Sequence, residues 1–311
     1  MRAVLVDPKA PGCLALTDTP EPVPLSSQAL VQVKAVSLNL GEVRRARNSA
    51  PGTQLGWDVS GVVMEPARDG SGPAAGERVV GVMNTGSWAE VAAVETQWMT
   101  VLPDSVSCAT AATLPVAGLT ALYALENGGQ LLGQSVMVTG ASGGVGLFGI
   151  QLAKLSGATV TALIRRNALS ELVRMCGADH VVIGDSAEEA AEYGPFACIL
   201  DSVGGQVLAD SLKLVGRGGV LVNYGVSAGE ESVIRAGDFF RAGRARYYGL
   251  YLFTEFGRRP AKYGLRVLVD LVSQKKLTVH VDAEGSLSEL GSLAERLYNR
   301  EISGKAVIHV D

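Results

Sequence analysis

Over the first third of the chain, apolar residues come in short β-branched runs at 29–36, 59–64, 78–82 and 88–94, cut apart by Gly, Pro and Asp. Runs of that length and punctuation predict a β-rich, barrel-like region. The rhythm changes after Pro115. Strands at 136–139, 159–164, 180–183, 196–201, 220–224 and 246–253 now alternate with helices at 145–156, 168–176 and 206–215 and a short one from 187. Such alternation predicts a doubly wound, mostly parallel α/β sheet, and Gly157, Gly177 and Gly216 stand where helix C-caps belong. A helix at 260–273, a strand at 277–281, a helix at 287–300 and a strand at 305–310 follow. Six strands already complete a doubly wound sheet, so this tail is expected to rejoin the N-terminal lobe. The expected domains are 1–116 with 254–311, and 117–253, with the site in the cleft between them. There is no internal repeat.

The junction of the two rhythms carries the most specific chemistry. An apolar strand, Ser135-Val-Met-Val-Thr139, runs into Gly140-Ala141-Ser142-Gly143-Gly144-Val145-Gly146, which opens a helix. Gly140 and Gly143 permit a tight turn and close approach to a pyrophosphate, and Gly146 lets the helix lie close on the sheet with its first N–H groups aimed at phosphates. Ala141, Ser142, Gly143, Gly144 and Val145 are therefore candidate cofactor contacts. Ser202 and Tyr224 join them, because they end the fourth and fifth strands, where ligands of an open α/β sheet collect. Tyr224 also reads as a packed aromatic with a wet hydroxyl.

The next strand ends in Arg165-Arg166 rather than the acidic residue that grips a ribose 2′-hydroxyl. A guanidinium makes charge-assisted hydrogen bonds with a 2′-phosphate and a carboxylate repels one, so NADP(H) is expected over NAD(H). The competing reading is a solvated pair opening a helix.

Composition narrows the classes. The 311 residues are 47% hydrophobic and 19% charged, as in a globular enzyme, and a net charge of −4 gives no support for nucleic acid or an anionic membrane as partner. Four cysteines, Cys13, Cys108, Cys176 and Cys198, lie scattered without a Cys-x-x-Cys pair, which points to a reducing, cytoplasmic setting. The uncharged stretches 105–125 and 131–153 are interrupted by Pro115 and by the glycine turn, so neither reads as a membrane helix, and the N-terminal apolar run is too short for a signal peptide.

The turn also fits the pattern of short-chain dehydrogenases. That family places it near the N-terminus and uses a Tyr-x-x-x-Lys pair, and none of the eight tyrosines here has a lysine four residues on.

Taken with the β-rich first lobe, the segments Leu55-Gly-Trp57-Asp58-Val-Ser-Gly61, Ala112-Thr-Leu-Pro115-Val-Ala-Gly-Leu-Thr120, Asp201-Ser-Val-Gly-Gly205 and Gly304-Lys305-Ala-Val307 make the chain resemble the medium-chain dehydrogenase/reductase superfamily, most closely its quinone oxidoreductase, or zeta-crystallin-like, branch. The resemblance implies a Rossmann domain plus a GroES-like barrel domain. Alcohol dehydrogenases of the superfamily hold a catalytic zinc at positions that here are Asn39, Trp57 and Ala117, none of which offers a thiolate or imidazole, so no metal is expected.

Without a Lewis acid the site suits reduction of a polarised acceptor. The resemblance implies hydride transfer from NADPH to an activated C=C bond of an enone or an enoyl thioester such as an enoyl-CoA. Quinone reduction is the near alternative, and a non-catalytic NADPH-binding protein the alternative of another class. It places Asn39 at the nicotinamide end as the catalytic candidate, against a polar loop residue satisfying local backbone. Thr120 faces the cofactor, against an ordinary helix hydroxyl. Glu42, Trp57 and Tyr251 are substrate-pocket candidates, with a solvated charge and core or edge packing as alternatives. Arg44, Arg45 and Arg47 would meet an acidic tail such as a coenzyme A phosphate, or form a solvated helix face. Enoyl-thioester reductases often carry a tyrosine shortly after the Asn39 loop, and residues 44–55 contain none. The resemblance also implies a homodimer or higher homo-oligomer, since in the family the last sheet strand often pairs with its counterpart; an unpaired apolar edge would otherwise invite aggregation.

Overall fold

The computed structural model describes residues 1–311, which divide into two compact units, Met1–Leu119 with Phe256–Asp311, and Thr120–Glu255. The first is built from β1 (Arg2–Val6), β2 (Leu14–Asp18), β3 (Gln28–Leu38), α1 (Leu40–Arg47), β4 (Asp58–Glu65), β5 (Arg78–Val82), β6 (Val91–Glu95), β7 (Met99–Val101) and α2 (Cys108–Ala112). Helix α3 (Pro115–Glu126) carries the chain onward. The second unit holds β8 (Ser135–Thr139), α4 (Gly144–Leu155), β9 (Thr159–Ile164), α5 (Ser170–Met175), β10 (His180–Ile183), β11 (Phe196–Asp201), α6 (Gly205–Lys213), β12 (Val215–Asn223), α7 (Ala236–Arg241), β13 (Arg246–Gly249) and α8 (Leu252–Glu255). The tail supplies α9 (Ala261–Ser273), β14 (Val281–Ser286), α10 (Leu290–Tyr298) and β15 (Lys305–His309) to the first unit.

In the first unit, β3 organises a sheet ordered β14-β15-β3-β4-β5-β7. Its N-terminal half pairs with β6 and its C-terminal half with β15, both antiparallel, while β4 lines the other side through two register shifts. A strand that changes partner halfway must bend, which curves the sheet into a barrel-like wall. Gly61 marks the tightest crossing, since a Cβ there would stand 1.9 Å from the Gln32 carbonyl oxygen. Alternating Ala29, Val31 and Val33 enter the core with Trp88, Leu55 and Leu290. The register Ala306↔Leu38 sets Lys305 beside the end of β3.

The second unit is a six-stranded sheet ordered β10-β9-β8-β11-β12-β13, every pair parallel. Val136, Met137 and Val138 are all fully buried, as a strand covered on both faces requires. The strand order reverses between β8 and β11, and there the C-terminal ends of neighbouring strands diverge to leave a binding crevice.

Several elements depart from the sequence expectation. The expected strand 246–253 stops at Gly249, because its partner β12 ends at Asn223; Leu252 then turns into α8. The expected strand at 277–281 is displaced to β14, which starts at Val281, where pairing with Lys305 begins. Gly157 and Gly177 take positive φ after α4 and α5, but Gly216 lies inside β12. No helix is long and apolar enough to cross a membrane.

Candidate functional site

At the reversal point of the parallel sheet, the chain leaves β8 through Gly140, whose φ of 58° is left-handed; a Cβ there would come within 2.3 Å of Ser202 Oγ. Gly146 presses α4 onto the turn, since its Cβ would lie 2.7 Å from Ala141 Cα. Gly143 differs from both. It is the N-cap of α4 with φ −82°, and the nearest atom to an added Cβ is Gly140 O at 3.3 Å. The turn thus requires glycine at 140 and 146, while 143 only keeps the approach open. The first N–H groups of α4 point out of the turn without intrahelical acceptors, and Ser142, Gly143, Gly144 and Val145 all reach the surface beside them.

A fully buried carboxylate stitches this end of the sheet together. Asp201 Oδ1 accepts from Thr139 Oγ1 at 2.6 Å, and Oδ2 accepts from Gly204 N at 3.0 Å and Asn223 Nδ2 at 2.8 Å. Ser202 adds a bond from its hydroxyl to Thr139 O at 3.2 Å. The ends of β8, β11 and β12 are held by one side chain, which satisfies the rule that a buried charge must be hydrogen-bonded on every side. Tyr224 follows directly; burial first, and then the Asp201 charge, push its phenol up. Thr120 is buried on α3, whereas Arg165 and Arg166 are exposed just past the end of β9. Tyr251 is 60% exposed, with its ring tilted against Phe253.

The first unit holds a second polar cluster, at the junction of β3 and α1. Asn39 is the N-cap of α1, and Glu42, three residues on, reaches back so that its Oε1 accepts from Asn39 N at 2.9 Å while Oε2 accepts from Trp57 N at 2.9 Å. Lys305 Nζ donates to Asn39 Oδ1 at 2.7 Å and to Leu38 O at 3.0 Å, and lies 3.4 Å from Asp58 Oδ2. Asp58 also accepts from Ser37 Oγ at 2.5 Å, from Asn39 Nδ2 at 2.8 Å and from Val116 N at 2.8 Å. Glu42, Asp58 and Lys305 are 0%, 0% and 3% exposed, so two carboxyls and one ammonium share a dry site. Burial first, then the Asp58 charge, push the Glu42 carboxyl well above the usual carboxylate range; Lys305 and the Asn39 hydrogen bonds oppose this.

The partners also determine which way the Asn39 amide points. An ammonium can only donate, so it faces Oδ1; the Asp58 carboxylate can only accept, so it faces Nδ2, as does Glu42 Oε1 (3.3 Å), which already accepts from Asn39 N. Both amide hydrogens are directed at carboxyl groups, and the oxygen accepts from Lys305 and, as the N-cap of α1, faces the Glu42 backbone N–H. Trp57 flanks the cluster, its ring against Gly41 of α1, where a Cβ would lie 3.0 Å away.

The structure therefore gathers Asn39, Glu42 and Trp57 in one unit and the turn residues with Ser202 and Tyr224 in the other. Arg47 lies with its guanidinium 3.9 Å from the centre of the Tyr298 ring. Sequence reasoning passed over the functional groups at the centre of each cluster, Asp58 with Lys305 and Asp201 with Thr139. A signal existed, because a lone Lys or Asp inside an apolar β run is rarely left unpaired. No three His, Cys, Asp or Glu side chains converge as a metal site would require.

Residues 26–104 match the family described as alcohol dehydrogenase GroES-like domain, and residues 144–266 that described as zinc-binding dehydrogenase. The chain is 39% identical over 205 residues to a chloroplast envelope quinone oxidoreductase homolog of Arabidopsis thaliana, covering 59% of this chain and 60% of that one. It is 35% identical over 213 residues to 2-methylene-furan-3-one reductase of Solanum lycopersicum, covering 63% and 54%. The matches thus span less than two thirds of either relative. Escherichia coli quinone oxidoreductase complexed with NADPH superposes with a TM-score of 0.89 at 21% identity, over 99% of this chain and 100% of that one, which is a likeness of fold.

Proposed function

The chain belongs to the medium-chain dehydrogenase/reductase superfamily, in its quinone-oxidoreductase-like branch, and on that premise we propose that it is an NADPH-dependent, zinc-independent reductase of activated C=C bonds. The observation that carries the cofactor half is the Gly140 turn at the reversal point of the sheet, with Arg165 and Arg166 exposed beyond the adjoining strand β9. The residues fit the group. With no side chain at Gly143, where an added Cβ would meet only Gly140 O at 3.3 Å, the backbone N–H groups opening α4 stay open to a pyrophosphate, and two guanidinium groups suit a 2′-phosphate. Ala141, Ser142, Gly143, Gly144 and Val145 would cradle the phosphates, with Thr120, Ser202 and Tyr224 beside them. Support for NADP(H) also comes from the NADPH complex of the Escherichia coli enzyme.

Bound NADPH supplies the hydride. Asn39 would stand at the nicotinamide end, with Glu42, Trp57 and Tyr251 bordering the acceptor and the proton coming from solvent. The positions that hold zinc in alcohol dehydrogenases carry Asn39, Trp57 and Ala117, so the chemistry proposed needs an acceptor polarised by its own carbonyl. The reductase of a methylene-furanone supports the C=C reading, and the quinone-oxidoreductase relatives support quinones as the second acceptor class.

Two further parts of the proposal rest on surfaces and thiols. Strand β13 is the open edge of the parallel sheet and carries Tyr247, half exposed, which suits pairing with a second copy in a homodimer. The four free cysteines suit a reducing compartment such as the cytoplasm.

The test follows NADPH absorbance with a panel of quinones, 2-enones and short enoyl-CoA thioesters. Turnover of the enones or enoyl thioesters supports the reading; turnover of quinones alone moves it to the second class; tight NADPH binding without turnover moves it to a binding protein. Arg165→Ala with Arg166→Ala should lower the NADPH-to-NADH preference by about 10–100-fold, as expected for loss of charged hydrogen bonds. An unchanged preference would overturn the 2′-phosphate assignment.

A further inference from the structure

The buried charges around Asn39 raise a question that the proposed chemistry does not answer. Burying Lys305 and Asp58 is costly unless both are fully hydrogen-bonded, and an apolar pair would fill the same space between β15, β3 and β4. What the ion pair does that an apolar pair cannot is impose a polarity on its neighbour. Lys305 Nζ meets Asn39 Oδ1 at 2.7 Å and Asp58 Oδ2 meets Asn39 Nδ2 at 2.8 Å, so reversing the amide would set donor against donor and acceptor against acceptor. Both charges are anchored independently of Asn39, Lys305 by the Leu38 carbonyl and Asp58 by Ser37 and Val116 N. Both are anchored on the framework, and Asn39 is the partly exposed group they grip.

We propose that Lys305 and Asp58 are positioning residues that hold the Asn39 amide in one orientation, oxygen toward Lys305 and nitrogen toward Asp58, and so set the contact that Asn39 makes with NADPH. This rests on the assignment of Asn39 to the nicotinamide end. On NADPH, Lys305 acts through Asn39, and that effect is separable from its part in a structural ion pair with Asp58.

The experiment is an NADPH fluorescence titration of the full chain and its variants, with melting temperature measured alongside. Asn39→Ala and Lys305→Met should each weaken NADPH by about tenfold, the worth of one hydrogen bond to a charged or well-oriented group. In the double variant the losses should not add, because Lys305 has nothing left to orient. Lys305→Met leaves two carboxyls without their cation and lowers the melting temperature; adding Asp58→Asn removes the surplus charge and should restore most of it while NADPH binding stays weak. Lys305→Arg, which keeps a donor toward Oδ1, should recover part of the affinity. If the Asn39→Ala and Lys305→Met losses add fully, or if affinity returns together with melting temperature in Lys305→Met/Asp58→Asn, the pair is structural and the proposal is overturned. If Asn39→Ala leaves NADPH affinity unchanged, the nicotinamide-end assignment itself fails, and the proposal with it.

Discussion

Replacing Asp201 with alanine should cost the second unit more than any loss of contact area there would suggest. The carboxylate is fully buried and accepts from Thr139 Oγ1, Gly204 N and Asn223 Nδ2. Asn223 Nδ2 keeps a partner in Gly225 O at 2.8 Å, so the variant orphans two buried donors, the Thr139 hydroxyl and the Gly204 N–H, besides losing the longer 3.4 Å bond from the half-buried Val203 N. A buried donor left unsatisfied costs about 1–3 kcal/mol, which gives about 2–6 kcal/mol for the pair. A loss near the middle of that range lowers the melting temperature by on the order of 10 °C in a domain of this size. Asp201→Asn retains one oxygen and turns the other into a donor facing Gly204 N or Asn223, so roughly half the loss should remain. Urea unfolding followed by far-UV circular dichroism measures both variants against wild type. A destabilisation below about 1 kcal/mol for Asp201→Ala would refute the reasoning, since that is less than one orphaned group can cost.

Two further outcomes follow from the same geometry. Gly140→Ala should destabilise the fold by about 1–2 kcal/mol, the cost of a non-glycine residue in left-handed backbone, with more from the clash at Ser202 Oγ; Gly143→Ala, at an extended N-cap, should cost less than about 1 kcal/mol, and equal losses in thermal melts would contradict the division drawn between the two glycines. Burial raises the Cys198 thiol from its ordinary 9.0 to about 12. The folded state then keeps a proton that the unfolded state releases, so this contribution to stability is whole below pH 9 and is lost as pH rises toward 12, with a slope approaching 1.4 kcal/mol per unit, roughly. Urea midpoints at mildly and strongly alkaline pH should diverge in wild type and converge in Cys198→Ala; no difference between the two proteins would sink the assignment.

The two lobes were legible in the residues because element type is written locally. A period of two with Gly and Pro punctuation reads as strands on its own, and alternation with helical runs reads as a parallel sheet, since strands buried on both faces must be apolar throughout. The Gly140 to Gly146 turn was legible for the same reason, as its backbone needs no distant partner to declare itself. Boundaries were less legible where a partner decides them. Strand β13 ends at Gly249 although apolar residues run on to Phe253, because β12 has no more backbone to offer.

What the sequence determined by itself, then, is the pair of architectures, the phosphate-type turn and the lack of any thiolate or imidazole at Asn39, Trp57 and Ala117. Only the tertiary structure decided which polar groups meet. Lys305 reaches Asn39 across 266 residues of chain, and Asp201 reaches Thr139 across 62. These contacts depend on the register of β15 against β3 and of β11 against β8, which no local pattern encodes. The first of these registers brings Lys305 into the interior beside Asp58. A charged side chain reads as solvated until the fold brings it a partner, for only that partner makes its burial affordable in free energy.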